Sequence, residues 1–426
     1  MKNTTPLQIG EKIRQIRVAK GLSQENLAHA IGKSKSLVSR LERGDSEFDH
    51  QTLEATKKYL EIEKAPLHEH ELEIYRNRIW TWNELVHSRR MDEAKAMKEE
   101  LANILGLPFE QELIMLFKLI EARMFFFEGN VPAVDERLNY VEGFLDEAST
   151  DVLYLYHRVI ALTHIDAKSS LKHFLQAYEY NNHELRPDVQ LLYAIGSDYA
   201  RVGRPIIATR YFERFIREYR GDRTHMVLSA AENNLAACYM ILGEYDEAKK
   251  LFESSLVKAR NSNDRAWIGT ALADMGCMHG KTGDYKKAIE FCNDALKYLN
   301  EYKEGYVRTL VNKASCLIEL NDYDASKSLL EQAKALADNS EELLIQIEDT
   351  HHQMMLNDKQ STDYLESVVL PYYIRNGLAY IDAAISLCDK LEAQYRKRGA
   401  TRKADAIGLI ARDIYKGMIY GPEDSD

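Results

Sequence analysis

Apolar positions in the first sixty residues recur at helical spacing. Ile9, Ile13 and Ile16, with Arg17 beside them, mark one face of a helix over residues 9–20, which stops at Gly21. Ser23 offers an N-cap to a second helix, with Asn26 three residues on and Leu27, Ala28 and Ile31 along one face, and Gly32 breaks it. Ser34 caps a third helix through Glu42, ended by Gly44. Its Leu37, Val38 and Leu41 face inward, and Lys35, Ser36, Ser39 and Arg40 face outward. Over residues 8–62 the pattern predicts five short helices.

Beyond this head the amphipathic pattern repeats. The motif G-x-Y-x-x-A occurs as GEYDEAKKLF from Gly243, GDYKKAIEFC from Gly283 and NDYDASKSLL from Asn321. Weaker copies begin at Arg89, Gly129, Gly203 and Gly399, with a degenerate one around Ile165. Successive starts from Arg89 to Asn321 lie 40, 36, 38, 40, 40 and 38 residues apart, and the 78 residues from Asn321 to Gly399 hold two more units. About nine helical pairs are predicted, so the fold class is all-α: a helical head of residues 1–65, a hinge at 66–72 around Pro66, and a repeat array over 73–426.

Composition agrees with long helices, since 21 glycines and 8 prolines are few for 426 residues. No apolar run is long enough to span a bilayer and the N-terminus has no apolar signal segment, so a cytoplasmic protein without a membrane partner is expected. The five cysteines are far apart with no C-x-x-C pair, which predicts reduced, partly buried thiols. His351 and His352 are adjacent rather than one helical turn apart, so no metal is expected, and no cofactor or catalytic motif is found. An ordinary enzyme is therefore not expected.

The net charge of −11 argues at first against nucleic acid, but its distribution reverses that. Residues 1–43 carry nine Lys/Arg against three Asp/Glu, while residues 66–426 carry 44 against 58. A basic head on an acidic body suits a chain whose head alone meets phosphates.

The order GLSQENLA, IG, KSKSLVSRLERG closely resembles the helix-turn-helix domain of the phage-repressor and Xre family. The resemblance implies that the third helix enters the major groove of an operator. Ser34, Lys35, Ser36, Ser39 and Arg40 then become the candidate base and phosphate contacts, Gln24 a clamp on the DNA backbone and Arg43 a further phosphate contact. Phe48 stands where the family usually has a proline, and the acidic Asp45, Glu47 and Asp49 keep that loop off DNA.

The repeat resembles the tetratricopeptide repeat, which implies a right-handed superhelix with small residues (Ala248, Ala288, Ser326) and aromatic ones (Tyr245, Tyr285, Tyr323) packed between helices. A period near 39 predicts about one extra helical turn per unit relative to the usual 34. Asn234, Asp274 and Asn312 each lie nine residues before a motif start, whereas Asn233 maps onto Ala273 and Val311. In peptide-clamping repeats an asparagine in this frame holds the ligand's main chain, since an amide both donates and accepts. Asn234, Asp274 and Asn312 are thus the candidate peptide clamp, with Asn233 flanking. Arg201 and Arg123, on earlier first helices, could meet a carboxylate.

Joined, a repressor-type head and long repeats resemble the RRNPP family of peptide-responsive quorum-sensing regulators, and the stretch from Leu370 is similar to the last repeats of its Rap and NprR branches. The resemblance implies a transcription factor whose DNA binding and assembly answer to a short signalling peptide in the groove. A homodimer, or a higher oligomer, would let two heads span two half-sites. The alternative it implies is a Rap-like protein that sequesters a response regulator or promotes its dephosphorylation.

Overall fold

The computed structural model describes residues 9–62, 69–104, 111–163, 166–181, 188–219, 225–376 and 380–419. Every regular element among them is helical. They fall into two compact units, one of Met1–Ile165 with Lys172–Pro187, the other of Asp166–Leu171 with Asp188–Asp426.

The head opens the first unit with α1 (Ile9–Ala19), α2 (Gln24–Ala30), α3 (Lys35–Glu42) and α4 (His50–Tyr59). Four helices stand among the described residues where five were expected, because the chain from Arg43 to Asp49 is loop. Residues 63–68, which include Pro66 of the expected hinge, lie outside the described set, and the rest of that hinge, from Glu69, is already helical. Ile13, Ile16, Leu27, Ala28, Ile31, Val38, Leu60 and Ile62 form the head's core, and Phe48 packs against it. Gly10 lets α1 approach the backbone of α3, where a Cβ would meet the Leu41 carbonyl oxygen at 1.7 Å.

Nine helical pairs follow among the described residues. The first unit holds α5 (Glu69–His87) with α6 (Met91–Ile104), α7 (Gln111–Phe127) with α8 (Val131–Glu142), and α9 (Thr150–Thr163), whose companion α10 (Ala167–Tyr180) bridges the division of the chain. The second unit holds α11 (Gln190–Arg201) with α12 (Pro205–Glu218), α13 (His225–Ile241) with α14 (Tyr245–Asn261), α15 (Arg265–Lys281) with α16 (Tyr285–Tyr298), and α17 (Lys303–Glu319) with α18 (Tyr323–Leu336). Next, α19 (Glu341–Met354) pairs with α20 (Lys359–Tyr364) and α21 (Leu370–Arg375), which a π-helical stretch at Leu365–Val369 joins, and α22 (Ile381–Lys397) pairs with α23 (Thr401–Ile419). The long period appears as helices of 14 to 17 residues in the central pairs.

The motif's first residue is the turn between the helices of a pair. Gly243 and Gly283 sit at φ 82° and Asn321 at φ 62°, a left-handed conformation that glycine and asparagine tolerate. The amide of the next residue, three positions beyond the first helix, then closes back on it in the same way each time: Glu244 on Tyr239, Asp284 on His279, Asp322 on Leu317, each at 2.9 Å. Asp284 and Asp322 go on to cap the second helix. Ala248, Ala288 and Ser326 are fully buried, as the small slot requires. The tyrosines are not core: Tyr245 is 36% and Tyr323 48% exposed, because each is the first residue of its helix, at the rim of the interface. Phe252, fully buried one turn beyond Ala248, supplies the aromatic packing instead.

Candidate functional site

In the head, the exposed face of α3 is positioned by a buried ion pair. The Arg17 guanidinium donates through Nε to Glu42 Oε1 at 2.6 Å and through Nη2 to Oε2 at 2.9 Å, and it also donates to the Leu22 carbonyl. Arg17 is 7% and Glu42 1% exposed, so a fork between α1 and the end of α3 fixes their register. Sequence reasoning missed this pair; its trace was an arginine inside the apolar stripe of α1.

Around that anchor the structure places the expected DNA-facing residues as follows. Lys35, Ser36 and Arg40 are exposed along α3, and Ser39 is half-buried. Ser34 is exposed, with its hydroxyl oxygen accepting from the Leu37 amide as the N-cap. Lys35 lies 3.5 Å from Glu25, and Arg43 3.1 Å from Asp45, both among exposed partners that phosphates can displace. Gln24 starts α2, where Ser23 and Asn26 form a capping box, and its Nε2 donates to Glu42 Oε2 at 2.7 Å. Its amide is therefore shared between holding Glu42 and any role at the DNA backbone.

In the second unit the second helix of a pair packs against the first helix of the next, α12 on α13, α14 on α15 and α16 on α17, and the first helices also contact one another in a row, α11 to α13, α13 to α15, α15 to α17 and α17 to α19. That layer is the inner one, and the polar frame residues lie on it. Asn233, 5% exposed, donates to Asp274 Oδ2 at 2.7 Å, while its own Oδ1 is buried and without a partner. Asn234 is half-buried and donates to the Tyr193 hydroxyl of α11 at 3.3 Å. The two adjacent amides thus tie α13 to its neighbours on opposite sides. Asn312 is half-buried. Arg201 is exposed at the end of α11, 3.0 Å from Asp198. Arg123 lies in the first unit.

Burial pushes the Asp274 carboxyl up to about 6, against the opposing pull of the Asn233 hydrogen bond and the Arg308 cation. A carboxyl raised in the folded state costs nothing below its unfolded value near 4 and progressively destabilises as pH climbs through 6. Asp274→Asn is therefore expected to stabilise the protein by about 1–3 kcal/mol at pH 7.5 and by nothing measurable at pH 4. Urea unfolding of both proteins at the two pH values checks this; equal gains at both would show that charge is not the cause.

All five cysteines are free, and Cys238, Cys292, Cys316 and Cys388 are buried. Burial raises every one of these thiols above its ordinary range. Among the described residues no cluster of three metal-ligating side chains occurs, and no helix is long and apolar enough to cross a membrane.

The fold and these two faces define a helix-turn-helix protein with a tetratricopeptide-repeat body. A helix-turn-helix family model matches residues 13–62, and tetratricopeptide-repeat models match residues 227–301 and 307–340. No curated protein matches the chain. Among solved structures, a Rap protein complexed with Competence and Sporulation Factor superposes with a TM-score of 0.65 at 17% identity, covering 82% of this chain and 100% of that one. NprR in complex with its cognate peptide NprX gives 0.65 at 17%, covering 80% and 99%. The apo form of the quorum sensor NprR from B. thuringiensis gives 0.63 at 17%, with the same coverage. The chain thus combines a helix-turn-helix domain and tetratricopeptide repeats in the fold of NprR and the Rap proteins.

Proposed function

We propose that the protein is a cytoplasmic, homodimeric transcriptional regulator of the RRNPP type, whose DNA binding answers to a short signalling peptide held on the inner face of the repeats. The observation that carries the DNA half is the exposed Lys35, Ser36 and Arg40 face of α3, on a helix locked by the buried Arg17–Glu42 pair. For the peptide half, the inner helices carry a row of amides, one of which, Asn233, holds a buried acceptor in need of a donor. A peptide N–H supplies it. Solved structures of this fold hold a cognate peptide in one case and Competence and Sporulation Factor in another, which favours the same ligand class here.

The peptide acts by linkage: it shifts the population toward the curvature of the array that binds it better, and the spacing of two heads in a dimer follows. Asn233→Ala, Asn234→Ala and Asn312→Ala are each expected to weaken the peptide by about 1–3 kcal/mol, the cost of a buried backbone group left unpaired. Calorimetric titration reads the loss, and unchanged affinity in all three removes the clamp.

The second reading is a body that acts on a protein partner such as a response regulator, and the full-length coverage of a Rap protein favours it. Both activities are compatible in one chain. A pull-down of a purified response regulator by a variant with a disabled α3 separates them.

A further inference from the structure

In a row of stacked helical pairs each pair touches only its neighbours. The second unit departs from that rule at its last pair. Ile381, which opens α22, reaches the turn of the unit's first pair: a Cβ added to Gly203, between α11 and α12, would stand 3.0 Å from its Cδ1. Helix α23 also contacts α12 directly. Asp382 forms an ion pair with Lys281, the last residue of α15, and so skips α17 and α19. Further along α22, Lys390 lies 3.8 Å from Glu319, the last residue of α17, while its Nζ donates to Gln353 Oε1 of α19 at 2.6 Å. Helix α22 thus crosses the ends of the first helices, and the last pair of the unit meets the first.

The crossing lies beside the face that carries the amides. Asp274, Cys277 and Lys281 follow one another at helical spacing on α15, and Asp274 accepts from the Asn233 amide. Burial pushes the Cys277 thiol up to about 11, with Asp274 and Asp382 adding to the rise and Lys281 opposing it. Asp382 therefore stands within electrostatic reach of a half-buried thiol on the inner layer. These contacts are of the kind that opens first. The Lys281 and Asp382 side chains are 28% and 30% exposed, and a partly exposed ion pair holds little by itself. Consecutive pairs are joined instead through buried apolar cores, such as Ala248, Phe252, Ala271 and Met275. Helix α22 is itself packed with its neighbours through Leu387, Leu391 and Tyr395, so the end of the array can lift as one body with those cores intact.

We propose that α22 is a strap that closes the second unit's array on itself, and that a ligand reaches the inner layer only when the strap lifts. Asp382 carries the polar half of the strap and Ile381 the apolar half. The proposal deepens the functional reading above and rests on it in one respect, that the ligand is the signalling peptide. A ligand that needs the open array binds in proportion to the open fraction, so the strength of the strap sets the apparent affinity.

The test uses the full chain and its own thiols. Iodoacetamide is small and neutral, and its reaction reports access to Cys277 against the buried Cys238, Cys292, Cys316 and Cys388. Asp382→Lys sets two cations face to face, and Lys281→Asp with Asp382→Lys restores the pair in reverse. Ile381→Ala releases the Gly203 turn without changing any charge that acts on the thiol. Both single changes are expected to speed alkylation of Cys277 about tenfold, with amide exchange at the start of α22 faster to match, and the reversed pair to return both toward the parent rate. Simultaneous reaction of the four buried thiols would mark unfolding rather than opening, and Ile381→Ala, the milder change, then decides alone. Unchanged alkylation in either folded single variant, or a reversed pair as fast as Asp382→Lys, overturns the strap. The measurement involves no peptide and no DNA, so such a failure leaves the regulator reading intact, while a strap that opens as expected in a chain that no peptide binds would sink that reading alone.

Discussion

Replacing Lys35 and Arg40 together by alanine is expected to lower operator affinity by at least about 100-fold, with peptide affinity unchanged. Each side chain is exposed on α3, and each contact to a base edge or phosphate contributes about 1–3 kcal/mol. The loss has a second signature. With two fewer cations per head at the phosphates, the dependence of log affinity on log salt is expected to flatten by up to about two per head. Fluorescence anisotropy with a selected operator, at several salt concentrations, measures both quantities. Operator affinity that survives the double change would remove α3 from the interface. Retained binding of a response-regulator partner by the same variant would place that activity in the body of the chain.

The second large effect concerns the anchor beneath that helix. Glu42→Ala leaves the Arg17 guanidinium buried beside an empty space and also removes the acceptor of Gln24. Breaking one side of a buried pair in this way costs about 3–5 kcal/mol, enough to unfold a domain of this size. Hydrogen exchange on the intact chain is expected to show loss of protection over α1 to α3, with the repeat array protected as before. Arg17→Met combined with Glu42→Met removes the charge with its partner and is expected to recover most of the protection. If the single change left α1 to α3 protected, the fork would not be what holds α3 in place.

The repeat register was legible because it is local. A left-handed turn residue, a helix start and a small residue five positions on recur at a fixed spacing, and each has its reason in one turn of backbone. The tyrosines show where local reasoning stops. Tyr245 and Tyr323 share the motif's spacing, yet a side chain on the first residue of a helix has no preceding turn to cover it, and Phe252 fills the interface. The inner face was legible in outline only. The frame position isolated Asn234, Asp274 and Asn312, but the pairing of Asn233 with Asp274 joins residues 41 apart and depends on how two helices stack. The same holds for Arg17 with Glu42 and for Arg123 with Asn83 and His87. Sequence spacing gives the face of each helix, and only the packing of helix on helix gives the partner.

The central claim is that peptide binding to the repeats controls DNA binding by the head. Its most direct test titrates the full chain with synthetic peptides from the short reading frames beside its gene, following heat, light scattering and operator affinity in the same samples. The account predicts that one peptide binds saturably, with micromolar or tighter affinity, and that operator affinity or assembly state changes at the same peptide concentration. A peptide that binds without moving either quantity, or a full set of peptides that does not bind, would contradict it.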